Sequence, residues 1–179
     1  MQLPQKENKQ PKKVKSKSDW LKILNRESKS VFPKNSVLIP RLIRSTGRVY
    51  LAQKPVFVST NFVVCSLPDA KTAMLMASWV STIFYQLICE VSSKDNEGLR
   101  KMELVDIGKT YFPDFSKLSD EFYKEIETEM KNLVFLDLRN IKIRTIDILW
   151  AEMLFGENAH TVLKDAARML SFVVDRRNP

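Results

Sequence analysis

The 179-residue chain is short of the residues that most enzyme chemistry requires. It has one histidine, His160, so mechanisms that need a histidine must use that residue or are excluded. His160 stands in ENAHTVLKD, near the start of a helical stretch, where a structural or surface role is expected. The two cysteines, Cys65 in NFVVCSL and Cys89 in YQLICEV, lie in apolar surroundings and read as reduced, buried small hydrophobes. With His160 they fall short of the four nitrogen or sulfur ligands of a structural zinc site. Only four glycines are present, and no Gly-rich cofactor loop follows a strand. Gly108-Lys109-Thr110 echoes a phosphate loop, but that pattern needs glycine at 103, where Glu103 stands. The N-terminus is basic and lacks the apolar core of a secretory signal.

What is present is the composition of a globular chain, 44% hydrophobic and 28% charged, at the size of one domain with an appendage. The net charge of +8 is unevenly placed. Residues 1–48 hold 13 Lys/Arg against three acids, a net of +10, whereas residues 49–179 hold 16 against 18, a net of −2. An acidic partner that meets the N-terminal end is implied. Residues 1–17, MQLPQKENKQPKKVKSK, have too little apolar content to offset ordering entropy and read as a flexible basic tail.

After the tail, Ser18 can cap a short helix carrying Trp20, Leu21 and Leu24, which Pro33 and Asn35 end. VLIPRLI (37–43) is β-rich, with Pro40 requiring an edge strand or a bent one. STGR (45–48) reads as a turn, and 48–59 and 61–67 as two more strands, so 37–67 is expected to form a small antiparallel sheet. Residues 72–89 carry no formal charge over 18 positions, near the length of a membrane span. Ser78, Ser81, Thr82 and Gln86 inside the run favour instead one long core helix over about 69–91. A polar loop (92–98) leads to LRKMELVDI (99–107), strand or short helix, and to a Pro-broken segment at 111–119. Ser119 caps an amphipathic helix of about 120–135, and apolar residues at helical spacing from Ile143 and again from Val162 predict two C-terminal helices packed as a hairpin.

Two basic clusters are candidate nucleic-acid contacts. In IPRLIRSTGRVY (39–50), Arg41, Arg44 and Arg48 flank Ser45-Thr46-Gly47, with Tyr50 as a further donor. Arginine grips guanine edges or phosphates in bidentate fashion, and hydroxyls suit phosphates. In SSKDNEGLRK (92–101), Lys94, Asn96, Arg100 and Lys101 surround a glycine turn. Solvated charged loops would give the same composition. A third pattern, Pro113-Asp114 followed by Glu129-Met130-Lys131, imitates the carboxylate-and-lysine order of metal-dependent restriction nucleases. Those nucleases carry the Glu-x-Lys element on a strand, whereas DEFYKEIETEMKNL is strongly helical.

Residues 37–155 carry, in order, VLIPRLIRSTGRVYLAQKPVFVSTNFVV, the helix ending WVSTIFYQL (79–87), the basic segment RKMEL (100–104), a Pro-terminated strand TYFPDF and the closing DILWAEML (147–154). This ordered set resembles the target-recognition domains of N6-adenine DNA methyltransferases from restriction–modification systems, and the specificity subunits of type I systems. Thr60 and Asn61 match the motif and are expected to brace the sheet. The family's catalytic half, with its cofactor loop and NPPY-type motif, has no counterpart here.

The resemblance therefore implies recognition without chemistry: sequence-specific binding of double-stranded DNA beside a methyltransferase catalytic domain or subunit. That partner would hold S-adenosylmethionine, with no cofactor in this chain. The implied contacts are Arg41, Arg44, Ser45, Thr46, Arg48, Lys94, Arg100 and Lys101. The expected class is α+β: a small antiparallel sheet, a long buried helix and a C-terminal helical hairpin. The expected division is a tail at 1–17, a recognition-like domain at 18–135 and the hairpin at 136–179, in a cytoplasmic protein with no membrane partner. A restriction-type nuclease using Asp114, Glu129 and Lys131, and a structural adaptor binding a protein, are the alternatives.

Overall fold

The computed structural model describes residues 31–96 and 99–177, without the side chains of 94–96. The expected tail and the helix after Ser18 lie outside the described residues. The class is α+β. Ten short strands run β1 (Val31–Phe32), β2 (Ser36–Pro40), β3 (Leu42–Ile43), β4 (Thr46–Gly47), β5 (Tyr50–Ala52), β6 (Val56–Phe57), β7 (Phe62–Ser66), β8 (Lys94–Asn96), β9 (Leu99–Lys101) and β10 (Leu136–Asp137). Among the described residues they pair, always antiparallel, in four small sheets: β1 with β6, β10 with β4, β5-β2-β7 and β3-β9-β8.

The expected sheet over 37–67 is present, with one correction. β2 is its central strand, paired to β5 on one side and to β7 on the other. Pro40 is tolerated there because it is the strand's last residue, opposite Phe62. The chain then bends: the Arg41 N–H donates to Asn61 O (2.8 Å), while Arg41 O accepts from Met102 N (2.8 Å). Past the bend β3 joins a different sheet with β9. One sequence run thus serves two sheets. Asn35, at φ 66°, turns the chain into β2 in a conformation that asparagine tolerates better than most residues.

The expected single helix over 69–91 is two helices, α1 (Ala70–Val80) and α2 (Ile83–Ser92), bent by 66°. Hydroxyls between them compete for the backbone. Ser81 Oγ donates to Ala77 O (2.8 Å) and Thr82 Oγ1 to Trp79 O (2.7 Å), and Thr82 Oγ1 also caps α2 by accepting from Tyr85 N. The groups freed by the break find partners on a third helix, described below. Among the described residues no single helix is long and apolar enough to cross a membrane, and the uncharged run is instead packed into the core. Asp69 caps α1 by accepting from Thr72 N (2.7 Å), which holds its carboxyl below the usual carboxylate range.

The polar stretch after α2 forms the hairpin β8–β9, followed by a single-turn helix α3 (Leu104–Ile107). TYFPDF is not a strand. It runs irregularly into a 3-10 turn at Phe115–Lys117. Ser119 caps α4 (Asp120–Lys131) as expected, accepting from Phe122 N at 3.1 Å, but the helix ends before 135 and β10 follows. The C-terminal pair is α5 (Thr145–Phe155) and α6 (Ala159–Arg177), reversed at Gly156, whose φ of 51° suits glycine.

Trp150 on α5 is buried at the centre of an aromatic cluster. Its ring meets Phe122 (5.0 Å) and Trp79 (5.3 Å) edge-on, and its Nε1 donates to Ser78 Oγ at 3.1 Å. Beside it, the buried Asp147 carboxylate accepts from Ile83 N (2.8 Å) at the start of α2, and Arg144 donates to Ser81 O. The start of α5 therefore satisfies the break between α1 and α2. Strands, α1, α2, α4 and the C-terminal pair all contribute to one hydrophobic core, so the residues after 135 are integral to it. Cys65 is half-buried and Cys89 buried, and both are free thiols.

Candidate nucleic-acid interface

The segment 43–50 alternates inward and outward. Ile43, Gly47 and Val49 are buried, whereas Arg44, Arg48 and Tyr50 are exposed, with Ser45 and Thr46 half-buried. The inward residues anchor the segment, and pleating points the others away from the core. Thr46–Gly47 was expected as a turn but pairs as a strand with Leu136–Asp137, and Leu138 N donates to Ser45 O at 2.8 Å. Gly47 is therefore there for close approach. A Cβ at that position would lie 2.9 Å from the Gln86 side chain.

Beneath the segment lies a buried polar cluster. Arg177, at the end of α6, donates to Ile43 O (3.3 Å) and Arg44 O (2.9 Å), fixing the backbone that carries the exposed arginine. Its Nη1 also pairs with Glu90 Oε1 on α2 at 3.2 Å. Arg100 pairs with the same Glu90 oxygen (3.2 Å) and donates to Gln86 Oε1 (2.8 Å) and Gln86 O (3.3 Å). Gln86 Nε2 closes the network on Val80 O (2.8 Å). The Arg100, Arg177 and Glu90 side chains are at most 5% exposed, so their charge-assisted bonds are largely shielded from water.

This cluster corrects one expected contact. Arg100 is 1% exposed and its guanidinium is held by Glu90 and Gln86, so it supports the site from within and is not presented to a ligand. Arg41 and Lys101 are accessible but share one carboxylate. Arg41 pairs with Glu103 and donates to Thr60 O (3.1 Å), and Lys101 reaches Glu103 Oε1 at 3.0 Å. Lys94 falls in β8 by its backbone, and its side chain lies outside the described residues.

The other four come together. Arg44, Ser45, Thr46 and Arg48 line an open groove of about 420 Å³, with Tyr50 and Asn61 on its walls. Among the described residues, neither the Arg44 nor the Arg48 side chain has a hydrogen bond or ion pair. Asn61, expected to brace the sheet, is exposed in this groove, although its carbonyl does accept from Arg41 N. Phe62 forms a wall shared with a second groove of about 390 Å³ that holds Arg41 and Glu103. Tyr50 packs edge-on against Phe62 at 5.9 Å and also meets Phe135 at 6.0 Å. The three arginines close in sequence are thus divided between two grooves, with the unpaired pair in one.

Sequence reasoning missed the supports Gln86, Glu90 and Arg177. Each sits in a helical pattern, and only the fold shows that they meet. Of the nuclease pattern, Asp114 caps the 3-10 turn and pairs with Lys117 (3.2 Å), Glu129 and Lys131 lie on a helix, α4, and no group of three His, Cys, Asp or Glu side chains that could hold a metal forms among the described residues. His160 is exposed on α6.

The chain matches the family model for the specificity domain of restriction endonuclease BpuSI over residues 1–143. It is also similar to the crystal structure of the type IIG restriction endonuclease BpuSI, with a TM-score of 0.82 and 32% identity over 92% of this chain. The match takes up 19% of that enzyme, so the chain spans about a fifth of the protein it resembles. No curated protein matches the chain. The family is the restriction–modification recognition class that the ordered motifs of 37–155 resemble. By a match over most of its length and by its fold, the chain belongs to the family of BpuSI restriction endonuclease specificity domains.

Proposed function

We propose that this chain binds double-stranded DNA sequence-specifically, as the recognition part of a restriction–modification enzyme whose catalysis is carried elsewhere. The observation that carries the reading is the pair Arg44 and Arg48: exposed, without partners among the described residues, and lining one open groove, with the backbone at Ile43 and Arg44 fixed from its inner side. Unpaired guanidiniums are the groups that replace counterions along a phosphate backbone and read guanine edges. Ser45 and Thr46 hydroxyls, Tyr50 and Asn61 add donors and acceptors within the same groove. Arg41 and Lys101 extend the surface next to it. Their shared link to Glu103 is at a partly exposed site, where ion pairs contribute little and exchange readily for phosphate. Lys94 on β8 belongs to the same proposed surface.

The catalytic partner in this reading is a methyltransferase domain or subunit, which would hold S-adenosylmethionine. The setting is cytoplasmic. The family resemblance supports that pairing, as does the small share of the BpuSI chain that this module occupies. The test is selection of duplexes from a random library by the full chain, followed by titration of the recovered sequence at low salt. Binding should be specific and fall steeply as salt rises. Arg44→Ala should lose at least about 1 kcal/mol of affinity for that duplex. Equal affinity of variant and parent refutes the assignment of the groove. No binding at low salt would replace the reading with that of an adaptor for a protein partner.

A further inference from the structure

We infer that Arg139 is a second DNA-contacting residue, gripping a phosphate together with Arg44; the inference rests on the DNA-binding reading above. β10 pairs with β4 as Leu136 with Gly47 and Asp137 with Thr46, and Leu138 N donates to Ser45 O. The ladder ends there: Arg139 follows Leu138 in a turn, while Arg44 precedes Ser45, so each arginine is one residue from that hydrogen bond. Leu138 is buried, whereas Arg139 and Arg44 are both exposed. The turn that presents Arg139 is pinned: Asp137 Oδ1 accepts from Arg139 N (2.9 Å), and Asn140 N donates to Asp137 O (3.2 Å). The acid of this turn is thereby engaged with the backbone. Among the described residues the Arg139 guanidinium has no partner.

Two like charges held on neighbouring segments repel each other. The arrangement costs least when an anion lies between them, and a DNA phosphate is the anion the neighbouring groove would bring. Arg48, farther along the same segment with Tyr50 and Asn61, is then left for base edges. The sequence carried a signal for this loop in DLRNIKIR (137–144), which has three basic residues in eight, as does 41–48. One of the three, Arg144, is committed to Asp147 and the helix break.

The test is a salt series of binding titrations on the selected duplex, comparing the full chain with Arg139→Ala, Arg44→Ala and the double variant. Arg168→Ala, which removes an exposed arginine on α6, is the control. Arg139→Ala should reduce the slope of log affinity against log salt by about one, making the fall between 0.05 and 0.2 M about three- to four-fold shallower. The sequence preference should be unchanged, and the double variant should lose less than the two single losses combined. An unchanged slope and affinity for Arg139→Ala, with a parent that binds, overturns this inference and leaves the groove assignment standing. A changed sequence preference without a changed slope overturns the phosphate role. A parent that binds no DNA overturns both.

Discussion

Arg44 and Arg48 stand at the rim of the groove without partners among the described residues, while Arg100 and Arg177 lie beneath it, buried around Glu90. The residue type is the same and the environments are opposite. At the rim the guanidinium stays hydrated and available, so its charge can be exchanged for that of a ligand. Beneath it the charge has been taken out of water, where Glu90 pairs with both guanidiniums and Gln86 and the carbonyls of Ile43 and Arg44 accept from them. The buried pair holds the backbone from which the rim residues project. In the proposed DNA-binding reading, recognition and support are therefore carried by the same chemistry, separated by solvent access.

Glu90→Ala attacks the buried side and should have the largest effect. It leaves two arginines confined without their shared carboxylate, and about 3–5 kcal/mol of stability should be lost in urea unfolding. A loss below about 1 kcal/mol would show that this cluster does not support the rim. Gly47→Ala tests the junction between the two regions. Its methyl would press on the buried Gln86 side chain, and a destabilisation of about 1–3 kcal/mol is expected, together with weaker DNA binding. On the rim, Arg48→Ala should leave the unfolding free energy within about 0.5 kcal/mol of the parent while weakening binding. A large loss of stability would mean that Arg48 is structural. The smallest effect belongs to Lys101→Ala. Its exposed pairing with Glu103 contributes less than about 1 kcal/mol, so thermal unfolding should scarcely change.

A similar contrast separates the cysteines. Burial pushes the Cys65 and Cys89 thiols up, Cys89 being the more enclosed. A thiol reagent at neutral pH should modify Cys65 first and reach Cys89 only on unfolding. Equal rates in the folded protein would contradict the packing of α2.

Local signals were legible wherever a residue acts on its own neighbours. Ser119 caps the helix that its position predicts, and the apolar spacing from Ile143 and Val162 marks α5 and α6. The β-rich run 37–67 forms the expected sheet. The break at Ser81-Thr82 was not legible, because hydroxyls are also tolerated inside helices. What makes the break stable is Asp147 and Arg144, more than 60 residues away. Arg100 was misjudged for the same reason. Arg100 follows a polar turn and resembles Lys101 in sequence, but alternation along β9 turns one inward and the other out.

The sequence alone determined the α+β class, the positions of most elements and the concentration of positive charge in the first 48 residues, because these follow from propensity, capping and composition within short windows. Only the tertiary structure decided which arginines are available. Burial of a charge depends on partners such as Glu90 and Arg177, which are remote in the chain and become neighbours when α2 and α6 pack against each other.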